Sequence, residues 1–280
     1  MFSDKNHSTN EFVIVLNSLK IYLQFCKIGF LEYLAYRVMN FMHFLSYPII
    51  IFAHIYFYEA VYQVKSEIGS FNLNQVVTYV AISWILRSFY RTYISNTIGM
   101  KVRQGQIAMD LVKPINFMGY NLFYAVGKSF YRVFSIALPL VAIFIFSDKI
   151  IPPSLDSFLM FLVVIVLAFF IVYLIDFIIG VSAFFFDFNN GFVWTMESII
   201  AFFAGLVVPL TFLPKPLLLI AESLPFQNLY FIPMQFFLGK IGSEVFFEVV
   251  VNEIFWIAIL FFLSRFLYSL GIQKLTIQGG

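Results

Sequence analysis

Charge is scarce in this chain: 11% of its 280 residues are Asp, Glu, Lys or Arg while 61% are apolar, against roughly a quarter charged and half apolar in a soluble domain. The deficit excludes water as the main solvent and puts the protein in lipid. Cysteine is nearly missing, and a lone Cys26 excludes an internal disulfide framework and every Cys-based zinc cluster. Alternation of apolar and polar residues is missing too. The runs are continuous, as in Phe158 to Phe186, so helical spans are favoured over a β-barrel. His43 and His54 stand eleven residues apart in the first apolar block, which is not metal-ligand spacing on a helix, so no metal site is expected. No second soluble domain, low-complexity tract or internal repeat appears, which counts against an inverted-repeat carrier.

What is present is a series of apolar blocks near the ~20 residues that a helix needs to cross a bilayer core. The expected fold is an all-α integral membrane protein with six transmembrane helices, at 38–58, 76–96, 118–146, 158–186, 192–213 and 254–270, in a single transmembrane domain of 38–280. The third and fourth blocks are long enough to tilt or protrude. Residues 1–10 are polar and expected to be disordered. Residues 11–37 set Lys20, Gln24 and Lys27 at i, i+4, i+7, with Leu23, Phe25, Ile28 and Phe30 around much of the remaining circumference. That pattern suits a helix lying in the membrane interface, so 1–37 reads as a cytoplasmic N-terminus with an interfacial helix. Segment 214–238 is broken by Pro214, Pro216, Pro225 and Pro233. It is too interrupted for a span and too apolar for a solvated loop, which suggests a re-entrant helical hairpin under protein cover.

The basic residues give an expected orientation. With a cytoplasmic N-terminus, 13 of the 17 Lys and Arg fall on the inner side or at inner span ends, leaving Lys65, Lys149, Lys215 and Lys240 outside. The reverse orientation opposes the positive-inside bias. Six spans return the C-terminus to the cytoplasm as well.

Three polar features could carry function. The loop from Ile98 to Pro114 is basic, and Gly105 and Pro114 bracket a stretch in which Ile107, Ala108, Leu111 and Val112 form an apolar stripe and Gln106, Asp110 and Lys113 a polar one. It is either a grip for a cytoplasmic partner or an ordinary interfacial turn. Asp176 is the one carboxylate well inside an expected span, costly in lipid and so a functional-site candidate; Arg132 on the neighbouring span is expected to pair with it. Gly127-Lys128-Ser129 has the end of a phosphate-loop motif, but the earlier glycine that motif needs is replaced by Leu122 and no strand precedes it. Lys128 and Arg132 read instead as residues at the inner end of the third span.

Several segments, in order, resemble the ABC-2 group of ABC transporter permeases, in particular its six-span bacterial family. They are Phe25 to Arg37, Ile98 to Pro114, Gly205 to Pro214, Leu224-Pro225-Phe226, Ile232-Pro233, Leu238-Gly239 and the end Gln278-Gly279-Gly280. The resemblance implies an ABC-2 (type V exporter-like) permease fold. In it the interfacial helix and first cytoplasmic loop dock on a nucleotide-binding subunit, and the segment between the last two spans forms re-entrant helices outside. Carried over residue by residue, it puts Gly105, Gln106, Asp110 and Leu111 in or beside the coupling contact, with Glu32 and Arg37 near it. Pro209, Pro214, Pro225 and Pro233 would shape the outer region. Val112 departs from the pattern, standing where a leucine is expected.

The implied function is the permease subunit of an ATP-driven exporter in a prokaryotic cell (inner) membrane. ATP and Mg would sit on a separate ATPase subunit, with no cofactor and no catalytic residue in this chain. A second permease copy or a homologous permease and membrane lipid are the other expected partners, and nucleic acid is not. The main alternative is an ion-coupled carrier or channel using Asp176. A membrane-embedded enzyme would need an acid or histidine cluster at one membrane face; the nearest candidate, Glu244, Glu248 and Glu253, reads as the solvated face of a short outer helix.

Overall fold

A computed structural model describes the backbone of residues 4–145, 150–186 and 190–274, with side chains from residue 19 onward except that of Ile145. Lys149 and the chain end Gln278-Gly279-Gly280 lie outside the described residues. Everything described is helix, turn or loop apart from an isolated bridge between Ile68 and Phe71. Among the described residues, four helical stretches are long and apolar enough to cross a membrane: Arg37–Tyr62, Phe117–Phe144, Leu155–Phe184 and Ser243–Lys274.

The chain opens with α1 (Asp4–Ala35) and turns at Tyr36 into α2 (Arg37–Val61). The first ten residues, expected to be disordered, are thus helical from Asp4 onward. A capping box, with Asn72 and Gln75 each accepting the other's backbone N–H, starts α3 (Leu73–Tyr90). After a three-residue break come α4 (Ile94–Arg103) and the short α5 (Ile107–Leu111). Next, α6 (Phe117–Arg132) passes through one π turn at 133–137 into α7 (Leu138–Ile145). A Ser154 cap starts α8 (Leu155–Val181), the longest uniformly apolar element. Then follow α9 (Asn190–Phe203), α10 (Lys215–Glu222), α11 (Phe231–Phe237) and α12 (Ser243–Lys274).

Apolar stripes at helical spacing bring these elements together. On α1, Tyr22, Phe25, Cys26, Gly29 and Tyr33 face α6, where Tyr22 stacks on Phe123 and Phe25 packs against Tyr120. The two axes can approach this closely only because two positions lack a Cβ. One built on Gly127 would lie 1.9 Å from the Cys26 carbonyl oxygen, and one on Gly29 would lie 2.3 Å from that of Tyr124. The glycine of the incomplete phosphate-loop motif is therefore a helix-packing notch. On α12, Glu253, Leu260, Ser264 and Gly271 form the buried stripe, which packs on α8.

Two expected spans end early, each for a tertiary reason. The block 76–96 stops as a helix at Tyr90, because the chain breaks where Asp176 of α8 captures the start of α4. The block 192–213 stops at Phe203, where Gly205 adopts φ +78° and turns the chain back. From there to Gly239 the chain is a string of short helices and 3-10 turns packed into the bundle. Its irregular backbone is covered: Phe231 N–H donates to the Ala204 carbonyl at 3.1 Å. The Tyr79 hydroxyl donates to the Gly205 carbonyl at 2.5 Å, and Tyr58 donates to that of Val207 at 3.1 Å. Pro209, Pro225 and Pro233 are buried in this segment, whereas Pro214 is exposed at the start of α10. The expected sixth span, 254–270, is the central part of a helix that begins eleven residues earlier, at Ser243.

Candidate functional site: a cationic helix break and a clamped loop

Polar chemistry concentrates at one end of the bundle, where α3 stops and α4 begins. Arg91, Thr92 and Tyr93 form the break, and Tyr93 holds a left-handed backbone (φ 54°, ψ 25°), a conformation costing of order 1–3 kcal/mol for a bulky residue. Two guanidiniums fix its ring, Arg91 at 4.8 Å and Arg132 at 4.9 Å from the centroid. Such desolvated cation–π contacts contribute ~1–2 kcal/mol each and offset the strain.

Asp176 secures the other side of the break. Its carboxylate accepts the Thr92 hydroxyl, the Ile94 N–H at 2.8 Å and the Ser95 N–H at 3.3 Å. It thereby caps from a neighbouring helix the backbone donors that the start of α4 leaves open. Arg132 and Asp176, expected as an ion pair, are not brought together, because the Arg91–Tyr93 break stands between them. Arg132 instead donates to the Tyr33 hydroxyl and lies 4.6 Å over that ring. The acid facing the arginines is Glu197 of α9, 3.4 Å from Arg87 and 3.9 Å from Arg91. Arg87, Arg91, Asp176 and Glu197 line a cavity of about 90 Å³. On the far side of Tyr93, Arg91, Lys128 and Arg132 border a larger one of about 430 Å³.

Beyond the break, the α4–α5 loop is held by one carboxylate. Asp110 is buried, and its oxygens accept Lys101 Nζ and Lys113 Nζ, each at 2.6 Å, and the Tyr120 hydroxyl at 3.0 Å. Burial acts to raise its pKa, but the two ammonium donors and the tyrosine outweigh it and hold the carboxyl below its usual range. Ile107 is buried behind it, while Met109 and Val112 are 68% and 84% exposed. The expected stripe of Ile107, Ala108, Leu111 and Val112 is therefore split, with Val112 pointing outward. Asp110 points inward to the clamp; Gly105 (φ +70°) and Gln106 form the exposed tip, and Leu111 is half-buried. Glu32 accepts the Tyr124 hydroxyl across the α1–α6 seam, and Arg37 is exposed at the start of α2.

A family profile described as ABC-2 family transporter protein matches residues 48–279. The chain belongs to the ABC-2 transporter family. No curated protein matches it. As an ABC-2 membrane component it is a multi-pass transport permease, and the family typically works with an ABC ATPase partner. Within this ABC-2 chain, Gly127-Lys128-Ser129 is mid-helix in α6 and forms no glycine-rich backbone loop.

One acid read from the sequence as part of a solvated face is buried. Glu253 sits inside α12, not on a solvated outer face; it is fully buried, and neither carboxylate oxygen has a hydrogen-bond partner among the described residues. The nearby Tyr90 hydroxyl is also unpartnered. The recurrence of Glu253, Ser264 and Gly271 on one helix face was the available signal, hidden because Glu244 and Glu248 precede it in the exposed first turns.

Proposed function

We propose that this chain is the transmembrane subunit of an ATP-driven ABC exporter, coupled through its α4–α5 loop to ATP hydrolysis on a separate nucleotide-binding subunit. In this reading six segments traverse the membrane. Spans one, three, four and six are the long apolar helices, and α3 and α9 are shortened spans completed by the Arg91–Tyr93 break and by the folded-back 204–239 segment. Both termini and the α4–α5 loop face the cytoplasm, and the folded-back segment lies at the outer side as a re-entrant hairpin. The membrane is the prokaryotic cell membrane. A second copy or a homologous permease supplies the other half of the path, since one such bundle provides half of the usual translocation route.

The observation that carries the reading is the clamped loop. Asp110 ties Lys101, Lys113 and Tyr120 into one unit, so a push on the exposed tip is transmitted to α6 instead of being absorbed by a floppy turn. Met100, Met109 and Val112 give that tip an apolar surface of the sort a partner groove can take. An ion-coupled carrier with Asp176 as its coupling group is disfavoured, because that carboxylate already serves three donors of the α4 cap.

The test is purification in mild detergent with the native neighbouring subunits. An ATP-hydrolysing subunit is expected to co-purify with the wild type and to be lost from Met109→Glu with Val112→Glu, while the double variant stays monodisperse. Failure of any ATPase to associate with the wild type would overturn the exporter reading.

A further inference from the structure

Three cations, Arg91, Lys128 and Arg132, border the 430 Å³ cavity beside the helix break, against one acid in its wall, Glu32. Lys128 and Arg132 are each 4% exposed, and neither has a carboxylate within ion-pair distance among the described residues. The Lys128 ammonium lies 4.2 Å from the Tyr124 ring centroid and 5.6 Å from that of Tyr33, with no hydrogen bond among the described residues. Arg132 spends one nitrogen on Tyr33, and its buried Nη1 has no partner among the described residues. The third bordering cation, Arg91, leaves its Nε unpartnered and is drawn at 3.9 Å toward Glu197. Glu32 is the acid on the cavity wall, and its carboxylate accepts Tyr124. Buried cations with too few counter-charges are costly, and tyrosine faces offset only part of that cost.

The cavity opens where Tyr36 and Met39 stand 66% and 60% exposed at the start of α2. From its mouth the exposed side chains Met42, Leu45 and Ile49 run along α2. A cationic recess at the end of an apolar track matches an amphiphile whose head is anionic and whose tail lies along a lipid-facing helix.

We propose that the recess between α1, α2 and α6 is a binding site for an anionic, phosphate-bearing headgroup held by Arg132 and Lys128. The guanidinium offers its free edge to two oxygens of a phosphate, and the ammonium adds a point charge beside it. The site stands apart from the coupling proposal, because binding there needs no ATPase subunit and no turnover.

The experiment uses the full chain in nanodiscs of phosphatidylcholine with graded phosphatidylglycerol, followed by native mass spectrometry to count retained lipid. The wild type is expected to retain phosphatidylglycerol in preference to phosphatidylcholine. Lys128→Gln with Arg132→Gln should lower that retention about tenfold or more, the equivalent of one lost charged hydrogen bond. Arg132→Lys should give an intermediate value. Met39→Trp, which narrows the mouth and leaves the buried cations in place, should also lower retention and keeps the test available should the double variant fail to fold.

Inorganic phosphate separates the two sources of the anion. If millimolar phosphate displaces the lipid from the wild type but not from the double variant, the recess takes free phosphate as well as a lipid head; if it does not, the tail is required. Equal phosphatidylglycerol retention by the wild type and by every folded variant, Met39→Trp included, would overturn the proposal. That result would leave the exporter reading untouched, just as a missing ATPase partner would leave this site untouched.

Discussion

The two ends of the bundle solve the same problem, irregular backbone inside a membrane protein, by different means. At the α3–α4 break the open donors of α4 are met by a charged side chain, Asp176, and the strained Tyr93 is held between two guanidiniums. At the folded-back segment the backbone is met by neutral groups: Tyr79 and Tyr58 donate to the carbonyls of Gly205 and Val207, and Phe212 packs edge-on against Phe71 and Tyr58. Charge-assisted bonds are stronger and directional, but removing one partner leaves a buried charge behind. Neutral tyrosine bonds are weaker and each can be lost at small cost. The first end holds one geometry through a few strong contacts; the second is fastened by many replaceable ones.

The largest effect in breaking this contrast is expected at the seam beneath the charged end. Gly127→Leu drives a side chain into the Cys26 carbonyl and should cost about 3 kcal/mol or more, read as loss of a monodisperse peak or a sharp fall in Tm in detergent. Asp176→Ala comes next. It strands the Thr92, Ile94 and Ser95 donors and should cost about 3 kcal/mol, with hydrogen exchange rising first in α4.

Asp110→Asn should cost about 1.5–3 kcal/mol, and its pH dependence carries the sign. Because the folded carboxyl titrates below its ordinary value, its contribution is complete above the unfolded pKa of about 3.9 and is lost as pH falls through the lower folded value. The gap in Tm between wild type and Asp110→Asn is therefore expected to be constant at neutral pH and to close on acidification below about pH 4. Tyr79→Phe, at the neutral end, should cost only about 1 kcal/mol. A larger loss there than at Asp176 would reverse the comparison.

Which parts of this were legible in the sequence follows from where the determining forces act. Blocks one, three and four are continuous apolar runs, so hydropathy alone locates α2, the α6–α7 rod and α8 to within a few residues. The ends of α3 and α9 were not legible, because Ile94 and Ser95 look like any continuing helix until Asp176, more than 80 positions away, claims their N–H groups. Asp110 was read in a polar stripe with Gln106 and Lys113, whereas it is buried. A five-residue amphipathic pattern cannot show that Lys101, Lys113 and Tyr120 converge on it from three sides. Arg132 was singled out as well, though with the wrong companion. Tyr33 comes from α1, and nothing in the sequence reveals that α1 lies along α6 until the notches at Gly29 and Gly127 are seen as a pair.

The most direct test of the central claim, that the clamped loop is the end gripped by an ATPase, uses the chain's single cysteine. On a Cys26→Ser background, a cysteine is introduced by Met109→Cys at the loop tip or by Leu219→Cys on exposed α10, and a thiol-directed cross-linker is added to native membranes. The account expects Met109→Cys to cross-link to an ATP-hydrolysing subunit and Leu219→Cys to give no such product. A cross-link to that subunit from Leu219→Cys and none from Met109→Cys would contradict it.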